Sequence, residues 1–121
     1  MNGLILFAHG SRDAAWAAPF EAVAGRLRTR QPTARVVLAY LELMQPDLPS
    51  AGASLVQAGC TRIDIVPMFL GAGGHVRRDL PALVQQLREQ HRGVEWSLHA
   101  PIGEHPDVIE AMAAAALDGT P

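Results

Sequence analysis

The chain has 121 residues, enough for one domain built around a single core. Hydrophobic residues make up 49% of the chain and charged residues 18%, a balance that excludes an intrinsically disordered protein. The formal net charge of -2 argues against a non-specific nucleic-acid binder, and no apolar run is long enough to span a bilayer. We therefore expect no nucleic-acid partner and no membrane partner. The single cysteine, Cys60, rules out an internal disulfide and favours a cytoplasmic location.

Four segments predict the strands of a sheet. In chain order they cover residues 4–8, 36–40, 62–67 and 94–99. The first two are continuous apolar runs, as in strands covered on both faces, whereas the last alternates between apolar and polar residues. The N-terminal run lacks a basic leader, so we interpret it as a strand rather than a signal peptide.

A helix is predicted after each strand. The helices are expected to begin near residues 17, 47, 79 and 107. The first has its apolar stripe at helical spacing, formed by Trp16, Phe20, Val23 and Leu27. Pro81 limits how early the third helix can be regular, so Asp79 is expected to cap it.

The strict alternation of strands and helices predicts an α/β fold. We expect a doubly wound, mainly parallel four-stranded sheet in the order 2-1-3-4, with helices on both faces and one domain over residues 1–121. In such sheets ligands bind beyond the carboxyl ends of the strands, where the strand order reverses. That point lies between strands one and three.

Side chains able to bind metals follow three of the predicted strands. His9 follows the first strand, Glu42 follows the second, and His75 closes the glycine loop after the third. Two imidazoles and one carboxylate with open coordination positions suit Fe²⁺ and similar metals. Taken singly, His9 could be a turn histidine, and His75 and Glu42 could be solvated surface residues. Their shared edge favours a functional site.

The glycine loop and three arginines are candidates for binding a substrate. The loop comprises Leu70, Gly71, Ala72, Gly73 and Gly74, and it matches neither the dinucleotide fingerprint nor a P-loop. Glycines allow the backbone to approach a ligand closely. The arginines supply forked donors suited to carboxylates or phosphates, and they are Arg12, Arg77 and Arg78.

Three further histidines are assigned by position. His91 falls at the end of a predicted helix and His99 falls on a predicted strand, so both are interpreted as structural. His105 follows the fourth strand. It could line the crevice or serve a turn before Pro106, and position alone favours neither role.

Several motifs in this order resemble the CbiX/SirB family of class II tetrapyrrole chelatases. No single motif is decisive, but the ordered set is specific and covers nearly the whole chain. The motifs are Ala8-His9-Gly10-Ser11-Arg12, Leu41-Glu42-Leu43-Met44-Gln45-Pro46, Val66-Pro67-Met68-Phe69-Leu70, Gly74-His75, Asp79-Leu80-Pro81 and Pro101-Ile102-Gly103-Glu104-His105-Pro106. The resemblance implies a chelatase-like fold.

The same resemblance implies that a divalent metal is inserted into sirohydrochlorin, in cobalamin or siroheme biosynthesis. The metal is a substrate, Co²⁺ or Fe²⁺ with Ni²⁺ as a further candidate, and neither ATP nor an organic cofactor is expected. His9 and His75 correspond to the family's metal-binding histidines, and Glu42 to a glutamate that assists in some members. The arginines and the glycine loop would contact the carboxylated macrocycle. A chain of this length resembles the short family form, which pairs as a homodimer.

Two other functions use some of the same residues. A non-catalytic carrier of metal or tetrapyrrole would bind through the same histidines without accelerating insertion. A histidine phosphatase is suggested by His9-Gly10, but Ala8 occupies the position where that motif has an arginine. The chelatase is therefore the leading hypothesis.

Overall fold

The computed structural model of the chain describes residues 1–120. Four strands alternate with four helices along the chain. The elements are β1 (Asn2–Ala8), α1 (Ala18–Arg30), β2 (Arg35–Tyr40), α2 (Leu48–Gln57), β3 (Arg62–Pro67), α3 (Gly74–Gln90), β4 (Glu95–Leu98) and α4 (Pro106–Asp118). Two short 3-10 turns, Ala14–Ala17 and Ile102–Glu104, precede α1 and α4.

The sheet is parallel throughout and has the order β2-β1-β3-β4, as the sequence predicted. Leu6 in the middle of β1 lies opposite Leu38 of β2 and Val66 of β3. Because all four strands run in one direction, their carboxyl ends share one edge of the sheet. The order reverses between β1 and β3, which places the ligand crevice of a doubly wound fold at that edge.

Apolar side chains are buried on both faces of the sheet. On one face, Ile5, Ile63 and Trp96 join residues of α2 and α3 in the larger core cluster. On the other face, Leu6 and Leu38 pack with the predicted stripe of α1. Helices therefore cover both faces, and the strands are hydrophobic because neither face of β1 meets water.

The start of α3 differs from the sequence expectation. The helix begins at Gly74 rather than near Asp79, with extended Gly73 as its N-cap, and Pro81 lies inside it. The backbone N–H of Arg77 donates to the Gly73 carbonyl at 3.0 Å and closes the first turn. The apolar stripe begins at Val76, which packs against the core, so burial favours the earlier start. The helix tolerates Pro81 because the fixed φ of proline is close to the helical value, although the backbone hydrogen bond that its missing N–H would donate is lost.

The Asp47 cap of α2 is confirmed. Its carboxylate accepts the Ser50 backbone N–H at 2.9 Å, and hydrogen bonding from the side chain and backbone of Ser50 lowers the pKa of Asp47.

The last helix, α4, is different from the other three. None of the residues Pro106–Asp118 is buried, and α4 packs chiefly against the 3-10 turn before it.

Candidate functional site

Backbone hydrogen bonds join the ends of β1 and β2 beyond the last paired residues. Leu41 donates to the Ala8 carbonyl at 2.9 Å, and Glu42 donates to the His9 carbonyl at 3.1 Å. Gly10 has a φ of +95°, and a Cβ there would overlap the Glu42 carbonyl oxygen. Only glycine adopts this positive φ without strain and leaves room for the Glu42 carbonyl. Gly10 therefore lets the chain turn sharply beside His9 and keeps the Glu42 backbone next to His9.

An aromatic contact positions the His9 ring. Its centroid lies 4.3 Å from that of Phe69, with 33° between the ring planes. Phe69 is itself buried and contacts Phe7 edge-on, with the centroids 5.9 Å apart. The His9 side chain is exposed, so one face of its imidazole rests on the core while the ring remains accessible to a ligand.

His75 lies in the first turn of α3 and is paired with Asp79 one turn later. The distance from His75 Nε2 to Asp79 Oδ2 is 3.1 Å, and the two side chains are 83% and 57% exposed. Both residues line a shallow groove that also contains Glu42 and Leu41. The early start of α3 creates this pair, because helical residues four apart face the same side.

The structure brings two of the three predicted catalytic residues into one groove. Glu42 and His75 line it together, whereas His9 lies beside Phe69 and does not contribute to its lining. Within residues 1–120, no three histidine, cysteine, aspartate or glutamate side chains converge closely enough to form a metal cage.

The predicted substrate-binding residues lie along the same edge of the sheet. Leu70 is 73% exposed, and a Cβ added at Gly71, Gly73 or Gly74 would meet nothing within 4 Å. Ala72 is half-buried and packs against the core, while Arg12 is exposed after β1. Gly71, Gly73 and Gly74 therefore leave open space beside their backbone.

The two arginines of α3 are held by the backbone of this loop. Arg78 Nε donates to the Gly74 carbonyl at 3.3 Å, and Arg77 Nη2 donates to the Ala72 carbonyl at 3.4 Å. Arg77 Nη2 also lies 3.5 Å from a carboxylate oxygen of Glu104. Both guanidinium groups remain exposed, so each keeps donors free for an anionic ligand.

The loop after β4 is fixed against the glycine loop by Gly103. Its N–H donates to the Phe69 carbonyl at 2.9 Å, and a Cβ there would overlap the backbone of Leu70. This close approach requires glycine. The loops after β3 and β4 consequently support each other at the edge of the site.

The remaining histidines have structural contacts. His91 caps the end of α3, and His99 Nε2 lies 3.0 Å from Asp64 Oδ1. For His105 the structure supports the turn role, because its Nδ1 accepts the Asp107 backbone N–H at 3.1 Å and caps α4.

Tyr40 lies at the end of β2. Its burial, and second the negative charge of Glu21, raise the pKa of its hydroxyl group.

Three contacts of the site were missed by sequence reasoning. Phe69 carries the His9 ring, Asp79 pairs with His75, and Glu104 pairs with Arg77. The spacing of four between His75 and Asp79 could have revealed the pair once a helix was assigned to that segment. The other two contacts join segments that are far apart in the sequence, and no local pattern indicates them.

The strand order and helices define a doubly wound α/β protein, and the candidate site residues lie at the edge where the strand order reverses. The sequence profile of the CbiX family matches residues 3–118. The chain is 30% identical to the sirohydrochlorin cobaltochelatase of Sulfolobus acidocaldarius, an alignment that covers 99% of this chain and 98% of that relative. The chain therefore belongs to the CbiX family.

Some relatives are about twice as long. The chain is 29% identical to the chloroplastic sirohydrochlorin ferrochelatase of Arabidopsis thaliana, with 92% of this chain and 49% of that protein aligned. This chain thus spans about half the length of that relative.

Solved structures have the same fold. A CbiX protein from Marinobacter aquaeolei superposes with a TM-score of 0.83 at 35% identity, covering 98% of this chain and 96% of that one. The chelatase SirB of Bacillus subtilis subspecies spizizenii, solved with cobalt, gives a TM-score of 0.80 at 22% identity over 98% of this chain and 50% of its own. The predicted chelatase-like fold is confirmed.

Proposed function

We propose that this protein inserts Co²⁺ or Fe²⁺ into sirohydrochlorin without ATP or an organic cofactor. The observation that carries the proposal is that Glu42 and His75 line one groove at the carboxyl edge of the sheet, where His9 also follows β1 and the glycine loop follows β3. The Sulfolobus and Arabidopsis relatives, named for cobalt and iron insertion into this macrocycle, support it. We further propose that residues 1–121 act as one chelatase-like domain in the cytoplasm, where a single free cysteine such as Cys60 is typical.

In the proposed mechanism His9 and His75 bind the incoming metal through neutral imidazoles. Both rings are exposed, which leaves the remaining coordination positions for water and then for the pyrrole nitrogens of the substrate. Insertion also requires that two pyrrole protons leave. Once the metal has passed to the macrocycle, the freed ring nitrogen of His9 can accept one of them, with the ring supported by Phe69. Glu42, in the groove with His75, is a second acceptor.

The loop from Leu70 to Gly74 supplies a surface for the macrocycle. Its glycines carry no side chains into the solvent, so a flat ring can approach the backbone. Arg77 and Arg78 extend from the start of α3, and Arg12 follows β1. Their guanidinium groups suit the carboxylates at the rim of the substrate.

We propose that two copies of the chain form the working enzyme. In a single chain the groove lined by Glu42 and His75 is open to solvent, and the His75 side chain is 83% exposed. The chain aligns with 49% of the Arabidopsis relative and 50% of the SirB chain, so a pair of copies would match their length.

The proposal is tested by mixing protein, metal and sirohydrochlorin anaerobically and following the visible absorption band. We expect His9→Ala and His75→Ala each to lower the insertion rate by about 100-fold, the lower range for a group that transfers protons. His91→Ala is the matched control, since His91 lies at the far end of α3, and it should keep the parent rate. A parent protein that binds both ligands without accelerating insertion would instead be a carrier.

The metal is tested in the same assay with Co²⁺, Fe²⁺ and Ni²⁺ side by side. Intrinsic affinity rises from iron to nickel whatever the biological role, so binding alone does not identify the substrate metal. Insertion rates at equal free-metal concentration compare the three directly. A rate for Ni²⁺ far below those for the other two would restrict the substrates to cobalt and iron.

A further inference from the structure

Three leucines are exposed to solvent at the carboxyl edge of the sheet. Within residues 2–105 they are the only large apolar side chains that are exposed. Leu41 and Leu43 follow β2, and Leu70 follows β3. Since β1 lies between these strands and neighbouring strands are about 4.8 Å apart, the two loops begin about 10 Å apart, on either side of His9. Single exposed leucines are common, but three around one candidate ligand site indicate a surface for an apolar ligand.

The backbone of Leu43 is strained. Its φ is +65°, and within residues 1–120 it is the only residue other than glycine with a positive φ. The Met44 backbone N–H donates to the Glu42 carbonyl at 2.8 Å, which closes a γ-turn with Leu43 at its centre. A bulky residue is an outlier in this region, and glycine or asparagine adopts it at lower cost. A leucine at this position is therefore unfavourable for folding.

The neighbouring contacts explain the turn but not the leucine. The Glu42 N–H donates to the His9 carbonyl at 3.1 Å, and Met44 packs with the core cluster beneath α1, so a tight turn is needed between them. In the part of the chain that the structure describes, Leu43 belongs to neither core cluster, and it is 57% exposed. Strain of this kind persists where the surrounding structure maintains it, and it is concentrated at ligand sites.

We propose that Leu43 packs against the flat face of the bound tetrapyrrole, on the β2 side of His9. This inference rests on the proposed function, and it adds to the same site a residue that determines substrate affinity. Leu41, two residues earlier, already lines the groove that contains Glu42 and His75, so the loop after β2 is continuous with the site. The strained backbone then keeps an apolar side chain beside the ligand.

The composition of the loops separates contacts to the face of the ring from contacts to its rim. Residues 41–46 contain no arginine or lysine, whereas Arg12 follows β1, and Arg77 and Arg78 follow β3. Guanidinium groups suit the carboxylates at the rim, and an apolar side chain suits the flat conjugated face. On the β2 side, the site therefore binds the ring by burying apolar surface.

Binding of metal-free sirohydrochlorin tests this contact with two substitutions at one position. Leu43→Asn introduces a polar side chain that tolerates a positive φ, and Leu43→Met keeps an apolar side chain of similar volume. Anaerobic absorption titration of the 121-residue protein gives the dissociation constant. We expect it to rise about 10-fold in Leu43→Asn and no more than about 2-fold in Leu43→Met, because covering the exposed half of a leucine contributes about one tenfold step in affinity.

Thermal unfolding and insertion kinetics separate the contact from a structural role. Because asparagine relieves the strain, Leu43→Asn should melt at or above the temperature of the parent protein. Its KM for sirohydrochlorin should rise while kcat stays within about 2-fold of the parent value, as when a contact made equally in the ground and transition states is lost. A lower Tm would mean that Leu43 stabilises the fold, and a lower kcat would mean that it acts through Glu42. Either result, or unchanged binding, would overturn the contact.

Sedimentation velocity tests whether a second copy of the chain is the neighbour of Leu43 instead. Leu43→Asn should sediment as the parent protein does, and dissociation of the variant would assign Leu43 to an interface between copies and overturn the contact.

The titration does not require metal insertion. A parent protein that binds the macrocycle without inserting metal, with weaker binding in Leu43→Asn, would contradict the proposed function and leave the contact standing. Metal insertion by the parent protein together with unchanged sirohydrochlorin affinity in Leu43→Asn would do the reverse.

Discussion

The contact between Gly10 and the Glu42 backbone can be measured by a pair of alanine substitutions. Gly10 and Gly59 have nearly equal positive φ values, +95° and +99°. A Cβ at Gly59 would meet nothing within 4 Å, whereas one at Gly10 would overlap the Glu42 carbonyl oxygen. Gly59→Ala therefore reports the cost of the left-handed backbone alone, and Gly10→Ala reports that cost together with the steric overlap.

The expected magnitudes follow from these two terms. The left-handed conformation costs an alanine about 1–2 kcal/mol, and crowding against a backbone atom adds about 1–3 kcal/mol. We expect losses of about 1 kcal/mol for Gly59→Ala and about 3 kcal/mol for Gly10→Ala. Unfolding entropy scales with length, so for 121 residues 1 kcal/mol corresponds to about 4 °C in Tm. The variants should melt about 4 °C and about 12 °C below the parent protein.

Thermal unfolding followed by circular dichroism gives both values, and urea unfolding checks them. The metal-insertion rate of folded Gly10→Ala should also fall, because relieving the overlap separates His9 from the loop that carries Glu42. Equal melting temperatures for the two variants would refute the close approach of these loops. A normal insertion rate in the folded Gly10→Ala protein would show that the close approach of these loops does not affect the site.

Two further predictions concern single carboxylates. Asp79→Ala should lower the insertion rate by about 10-fold, because partners that orient a metal-binding histidine typically contribute 10–100-fold and the pair with His75 is exposed. Asp79→Asn retains an acceptor oxygen, so its insertion rate should fall less. An unchanged rate in Asp79→Ala would remove Asp79 from the mechanism. Asp47→Ala should lose about 1 kcal/mol of unfolding free energy at pH 7. The pKa of Asp47 is lowered on folding, so the difference in unfolding free energy between variant and parent is present above the ordinary pKa of 3.8. That difference should disappear as the pH falls through the folded pKa. A difference that persists in acid would contradict the cap.

Much of the fold could be predicted because local patterns and global packing agree. The apolar runs of β1 and β2 identify strands covered on both faces, and the alternation with helices leaves few topologies for a parallel sheet. The predicted start of α3 is wrong because Pro81 lies well inside the helix rather than near its N-terminus. Burial of Val76 and Leu80 outweighs the hydrogen bond that the proline removes.

The candidate site was predictable only in part. The topology alone places His9, Glu42 and the glycine loop at one edge, because each follows a parallel strand. The contacts that orient these residues, such as Phe69 against His9, depend on side chains from different loops. Sequence spacing carries no information about such contacts, and the predicted metal-binding role of the histidines remains a proposal for the insertion assay.

The early start of α3 has an electrostatic consequence for the metal. His75 lies in the first turn of the helix, where unpaired backbone N–H groups carry a partial positive charge equivalent to about half an elementary charge. In the proposed mechanism, a divalent cation bound by His75 would therefore be repelled by the helix, and Asp79 would offset part of that repulsion. In the proposed reaction this favours transfer of the ion over its storage. Gly73→Asp, which adds an anionic cap at the same helix end, should increase Co²⁺ retention in equilibrium dialysis and slow its insertion.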